Sequence, residues 1–170
     1  MTKIQLSKNF YLHEFTRSSI AAKYGIPVVV KPDSEIFHNL QRLCREVLQP
    51  IRDALGPIDI SSGYRPPALN NHPRLRGSRT SAHLYGLAAD FTVRGMTPLE
   101  VCQWLEQSGL KFDQCIHEHG RWVHIGLKAD PAEQRQQLLT AWKPEKTAQT
   151  PRPKTIYTPG LHRIADLLKD

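Results

Sequence analysis

Three residues in this 170-residue sequence have the types and the settings of metal ligands: His83, Asp90 and His124. His83 leaves a polar loop. Asp90 interrupts the apolar run Leu87-Ala88-Ala89-Asp90-Phe91-Thr92-Val93, and His124 interrupts a second one, Arg121-Trp122-Val123-His124-Ile125-Gly126. A carboxylate in an apolar strand carries a heavy desolvation cost unless it is paired or bound to a cation. Metal ligation removes that cost. Two imidazoles and one carboxylate leave the fourth position on zinc open, which is the donor set of a hydrolytic site. Taken singly, each residue also has a plainer reading, as a core or surface histidine or an ion-pair acid. The third lies 34 residues after the second, so spacing alone is only suggestive.

The elements that must position these residues follow from periodicity. Ile36, Leu40, Leu43, Val47 and Ile51 recur at helical steps, predicting a helix from about Asp33, its N-cap, to Leu55, kinked by Pro50 and stopped at Gly56-Pro57. Ile58-Asp59-Ile60 alternates as a short strand and runs into the turn Ser61-Ser62-Gly63-Tyr64-Arg65-Pro66-Pro67. A polar loop over 70–80 precedes His83, and Gly86 permits a sharp change of direction before the Asp90 strand. Thr97-Pro98-Leu99-Glu100 is a capping box that starts a helix through about Gln107. Phe112–His117 and Arg121–Leu127 read as two strands joined by a tight turn at His119-Gly120. The sum is an α+β domain with an antiparallel sheet. Residues 1–130 are expected to form the domain. In 131–170 the sequence suggests a helix over 131–142, a proline-rich linker over 143–160 and a short amphipathic helix over 161–168.

Ser62-Gly63-Tyr64-Arg65, then Ser81-x-His83-x-x-Gly86-x-x-x-Asp90, then Trp122-Val123-His124, resemble the LAS metallopeptidases over about residues 5–128. That family includes zinc D-Ala-D-Ala carboxypeptidases, D-Ala-D-Ala dipeptidases and the L-alanyl-D-glutamate endopeptidases of phage lysins. The resemblance implies a small single domain with a central antiparallel sheet flanked by helices, of the hedgehog/DD-peptidase type. It also implies one zinc ion on His83, Asp90 and His124, and cleavage of peptide bonds in peptidoglycan stems. Arg65 matches the family arginine that engages a substrate carboxylate or carbonyl oxygen; a plainer role is a clamp on the proline turn. Ser81 is either a ligand-supporting or substrate-binding hydroxyl or a loop stabiliser. Several relatives carry a glutamate base three residues before the last ligand, where this sequence has Arg121. Two general-base candidates remain. A hairpin loop of residues 119–121 would pair Glu118 with Trp122 and place it on the face of His124, with His117 on the other. Some carboxypeptidase relatives use a histidine about five before the ligand, which here is His119.

Composition bounds the partners. Apolar residues make up 39% and charged residues 23%, ordinary for a globular protein, and no run of apolar residues is long enough to span a membrane. The net charge of +7 favours an acidic target. Basic residues are dispersed apart from Arg74, Arg76 and Arg79, and no recognition helix or stacking platform accompanies them, which argues against nucleic acid. Cys44, Cys102 and Cys115 form neither a disulfide framework nor a thiolate site, and Cys44 and Cys102 read as buried thiols. The first fifteen residues carry no signal peptide. The expectation is a monomer made in the cytoplasm and released to the wall by other means, as for a phage or prophage lytic enzyme. A different class of reading is a non-catalytic wall-binding or virion module that retains the fold.

Overall fold

The N-terminal segment supplies apolar anchors more than long regular structure. In the computed structural model, which describes residues 3–169, strands β1 (Gln5–Ser7) and β2 (Phe10–Tyr11) form a small hairpin. Helices α1 (Leu12–Thr16) and α2 (Ser19–Tyr24) follow, and Leu6, Phe10, Leu12 and Phe15 are buried in the main core.

The long helical pattern folds as α3 (Glu35–Leu43), a π-helical turn (Cys44–Leu48) and α4 (Gln49–Leu55). Its cap is Ser34, whose Oγ accepts the Phe37 N–H at 3.3 Å. Asp33 is instead left-handed at φ 59°, a conformation short polar side chains tolerate. Pro50 has no N–H to offer, and the widened turn just before it takes up the misfit, with Gln49 N–H donating to Cys44 O.

Strand β3 (Ile58–Ser62), short helix α5 (Pro67–Asn70), strand β4 (Ala88–Val93), helix α6 (Pro98–Gln107) and strands β5 (Gln114–Glu118) and β6 (Trp122–Gly126) complete the expected series. The Thr97–Glu100 capping box is formed. Residues after 130 depart from expectation. The predicted helix over 131–142 is a 3₁₀ turn (Pro131–Glu133) and then strand β7 (Gln137–Trp142). Part of the predicted linker is strand β8 (Ile156–Pro159), and helix α7 is confined to Ile164–Leu167. Gln, Leu and Ala favour helix locally, but the open edge of β5 offers a full ladder, and tertiary pairing overrides the local preference.

The sheet order is β3-β4-β6-β5-β7-β8. All neighbours are antiparallel except β5 and β7, which run parallel, so the sheet is mixed where an antiparallel one was expected. One face carries Ala89, Phe91, Cys115, Val123 and Ile125 into the core with the apolar stripes of α3, α4 and α6. Contact between α6 and that face is marked by Cys102 and Cys115, whose sulfurs lie 3.5 Å apart as buried free thiols. Among the described residues, no helix is long and apolar enough to cross a membrane.

Candidate metal centre

The opposite face of the sheet carries the polar residues. Asp90 on β4 lies directly across from His124 on β6, and His124 lies across from Ile116 on β5. Two positions along, Glu118 pairs with Trp122. Directly opposed residues share a face, so Asp90, His124 and Glu118 point the same way. The hairpin loop is Arg121 and its two predecessors, as the expected register requires, and buried His117 faces away, its Nδ1 3.1 Å from His162 O.

His83 reaches the face from a 3₁₀ turn (Ala82–Tyr85). Ser81 starts that turn, its Oγ accepting the His83 N–H at 3.3 Å. Gly86 ends it at φ 68°, and a Cβ there would come within 2.9 Å of Ile36 O, so only glycine lets the loop lie flat on α3. His83 Nδ1 lies 2.7 Å from Gly63 O, which fixes the ring and turns Nε2 toward Asp90. Gly63 is itself constrained, because a Cβ would sit 2.6 Å from Phe15 Cα in α1.

The three predicted ligands converge. His83 Nε2 is 3.3 Å and His124 Nδ1 2.9 Å from the same oxygen, Asp90 Oδ1, and one donor atom from each residue lies within 4.8 Å of the others. Tetrahedral zinc with bonds of about 2.1 Å holds its donors roughly 3.4 Å apart, so this set fits the ion with small side-chain adjustments. His83 is 1% exposed, while the side chains of His124 and Asp90 are 12% and 13% exposed, so the group is reached from the side of these two residues.

Electrostatics tie the group together. Burial works against the Asp90 charge, but the two imidazoles outweigh it and hold the carboxyl well below the usual carboxylate range. Burial depresses His83 more than Asp90 raises it. For His124 burial is the larger single influence, yet the hydrogen bond and charge of Asp90 together raise its pKa. Arg65 Nη2 lies 3.5 Å from Asp90 Oδ2, and its backbone N–H donates to His83 O at 3.0 Å. Its Nε is buried without a hydrogen-bond partner, an unspent donor beside the triad.

Glu118 is pushed up to about 7, first by burial and then by the Asp90 charge, with His124 and Arg65 opposing. His119 occupies the left-handed first position of the hairpin loop at φ 55°, its ring 5.6 Å from that of Trp122. Its pKa is lowered by burial and then by Lys143 and Arg121, so its electrostatic surroundings are not those of the triad. One residue absent from the sequence reading also faces the site. Tyr157 on β8 is raised by burial and by the charges of Glu118 and Asp90. The β-branched and aromatic run Thr155-Ile156-Tyr157-Thr158 is its strand signal, hidden among prolines.

No curated protein matches the sequence. The family model described as Peptidase M15 matches residues 8–126, from the N-terminal hairpin to the end of β6, and takes in all three candidate ligands. With more than half its length matched and a His-Asp-His group able to hold one metal ion, the chain belongs to the peptidase M15 family of zinc-dependent peptidases.

Proposed function

We propose that this peptidase hydrolyses a peptide bond in bacterial peptidoglycan stem peptides, as an endopeptidase or D,D-carboxypeptidase of phage or prophage origin. The observation that carries the reading is the placement of Glu118 and Arg65 around the donor triad, both in electrostatic contact with Asp90. The wall as target is supported by the three motifs shared with wall peptidases and by the net charge of +7, suited to an anionic envelope.

His83, Asp90 and His124 would hold the zinc, which when bound polarises a carbonyl and acidifies water. Glu118 is the general base: a carboxyl poised near neutrality can take the proton of the attacking water and return it to the leaving amine as the C–N bond breaks. Arg65, beside Asp90, offers its guanidinium to the developing oxyanion or to a substrate carboxylate. Ser81 acts through His83, by capping the turn that presents it. His119 ties the hairpin loop to β7, its backbone N–H donating to Ala141 O at 2.8 Å.

The test is metal content and release of stem peptides from purified peptidoglycan, for wild type beside Glu118→Gln and His124→Ala. Wild type should carry one zinc and release peptides. His124→Ala should lose both, and Glu118→Gln should keep the metal while losing about 10²–10⁴-fold in rate. A zinc-loaded wild type that cleaves other peptides but no wall peptide would overturn the substrate, and full activity in Glu118→Gln would overturn the base.

A further inference from the structure

The family match ends at residue 126, but the sheet continues through β7 and β8. Register puts these strands to a definite use. Trp122 pairs with Glu118, Glu118 with Ala141, and Ala141 with Tyr157, so four residues form one row on the metal-site face. In the neighbouring row, His124 pairs with Ile116, Ile116 with Leu139, and Leu139 with Pro159. Between Glu118 and Tyr157 the face is therefore apolar, and Ile116, Leu139 and Ala141 form a small buried cluster distinct from the main core.

We propose that Tyr157 is a substrate-binding residue, the outer wall of a trough that runs from the metal ligands past Glu118 and takes the peptide on one side of the scissile bond. The inference rests on the peptidase reading of the site. Strands are spaced about 4.8 Å apart, so Tyr157 starts about 10 Å beyond Glu118 and its ring can reach back over the alanine between them. An extended peptide advances about 3.4 Å per residue, which brings the second or third residue from the scissile bond against the ring. Ala141 is 0% exposed, while Tyr157, its partner on the outer strand, is 55% exposed. Its phenol also feels the charges of Glu118 and Asp90, as a side chain leaning toward the site must. The chemistry offered is a flat apolar surface with a hydroxyl at its rim, suited to the alkyl side chains and amide faces of a peptide. Ile156, the next residue on β8, points to the opposite face and is 41% exposed.

The experiment compares wild type, Tyr157→Ala, Tyr157→Phe and Ile156→Ala on a synthetic stem pentapeptide and on fragments shortened one residue at a time from either end. Tyr157→Ala should raise KM for the full peptide about tenfold with kcat nearly unchanged. It should have no effect on fragments too short to reach the trough. Tyr157→Phe should keep at least half the binding, and Ile156→Ala should match wild type. An equal loss in Ile156→Ala would show that β8 only braces the sheet and would overturn the proposal. So would a Tyr157→Ala effect independent of peptide length. A second readout needs no turnover: the uncleaved pentapeptide, titrated into Glu118→Gln protein, should shift the NMR signals of the Tyr157 ring. A shift from a peptide that wild type cannot cleave would overturn the assigned activity and keep this contact. Cleavage without any Tyr157 shift or KM effect would do the reverse.

Discussion

Strands β4 and β6 and strands β7 and β8 belong to one sheet, yet they are held by different forces. Every residue of β4 except Thr92 is buried, and β6 likewise packs Val123 and Ile125 into the core, so Asp90 and His124 are fixed by the packing of their neighbours. Strand β8 is exposed at three of its four positions and is secured by hydrogen bonds. Gly160 N–H donates to Leu138 O, the Thr140 hydroxyl to Gly160 O and the Trp142 indole to Thr158 Oγ1. Packing specifies position tightly because any change of volume is felt. A hydrogen bond contributes only about 1 kcal/mol net and fixes position at its own two atoms. Chemistry that tolerates little displacement sits on the packed strands, and the surface that has only to greet a substrate sits on the pinned ones.

The sharpest way to break this contrast is Asp90→Asn. It keeps the volume but removes the charge that faces His124 and Arg65. The metal-free protein should lose about 3 kcal/mol in urea unfolding and should no longer retain zinc, because a buried cation left without its partner is costly. An Asn variant as stable as wild type would show that packing alone holds the centre.

Glu118→Gln should have a smaller effect of opposite sign on stability. The folded carboxyl titrates near 7, above its ordinary 4.5, so the folded state keeps a proton that the unfolded chain has released. The penalty is absent below pH 4.5, grows as pH rises through the window, and is complete above 7. The metal-free variant should therefore be more stable than wild type by about 2–3 kcal/mol at pH 8 and equal to it at pH 4. Thermal melts at the two pH values check this, and a constant difference would count against it.

Arg135→Ala probes the pinned strands and should be the mildest. Burial alone would raise the Asp113 carboxyl, but the bidentate Arg135 pair, at 2.8 Å through both Nε and Nη2, brings it below its usual value. Because the guanidinium is half exposed, about 1 kcal/mol is expected at pH 7. A depressed carboxylate stabilises above its unfolded pKa and loses that contribution as pH falls through the folded one, so the difference should fade in acid below about pH 4. Hydrogen exchange should speed up in β7 and β8 and not in β4 or β6. Uniform acceleration would erase the distinction between the two regions.

The same contrast explains what the sequence discloses. Asp90 and His124 stand out because apolar neighbours make an isolated polar residue conspicuous, and Thr97 to Glu100 disclose a helix start because a capping box is local chemistry. The hairpin register that puts Glu118 beside the triad could be reasoned from loop length alone. Strand β7 could not, since its pairing partner β5 lies more than twenty residues earlier and Gln, Leu and Ala carry no strand preference of their own. Tyr157 was hidden for a related reason. Prolines at 144, 151, 153 and 159 set the composition of a linker, and only the six-stranded sheet shows that four residues among them form an edge strand. The shared use of Asp90 by Arg65 is likewise a matter of three-dimensional convergence.

The contact of Gly63 with both Phe15 and His83 bears on transplantation. The ring angle of one ligand is set by a carbonyl whose own position depends on a helix that contributes nothing to the chemistry. A designer who grafted the ligands and their two strands onto a foreign scaffold would carry over the donors and leave their alignment behind. The smallest portable unit of this centre therefore includes α1.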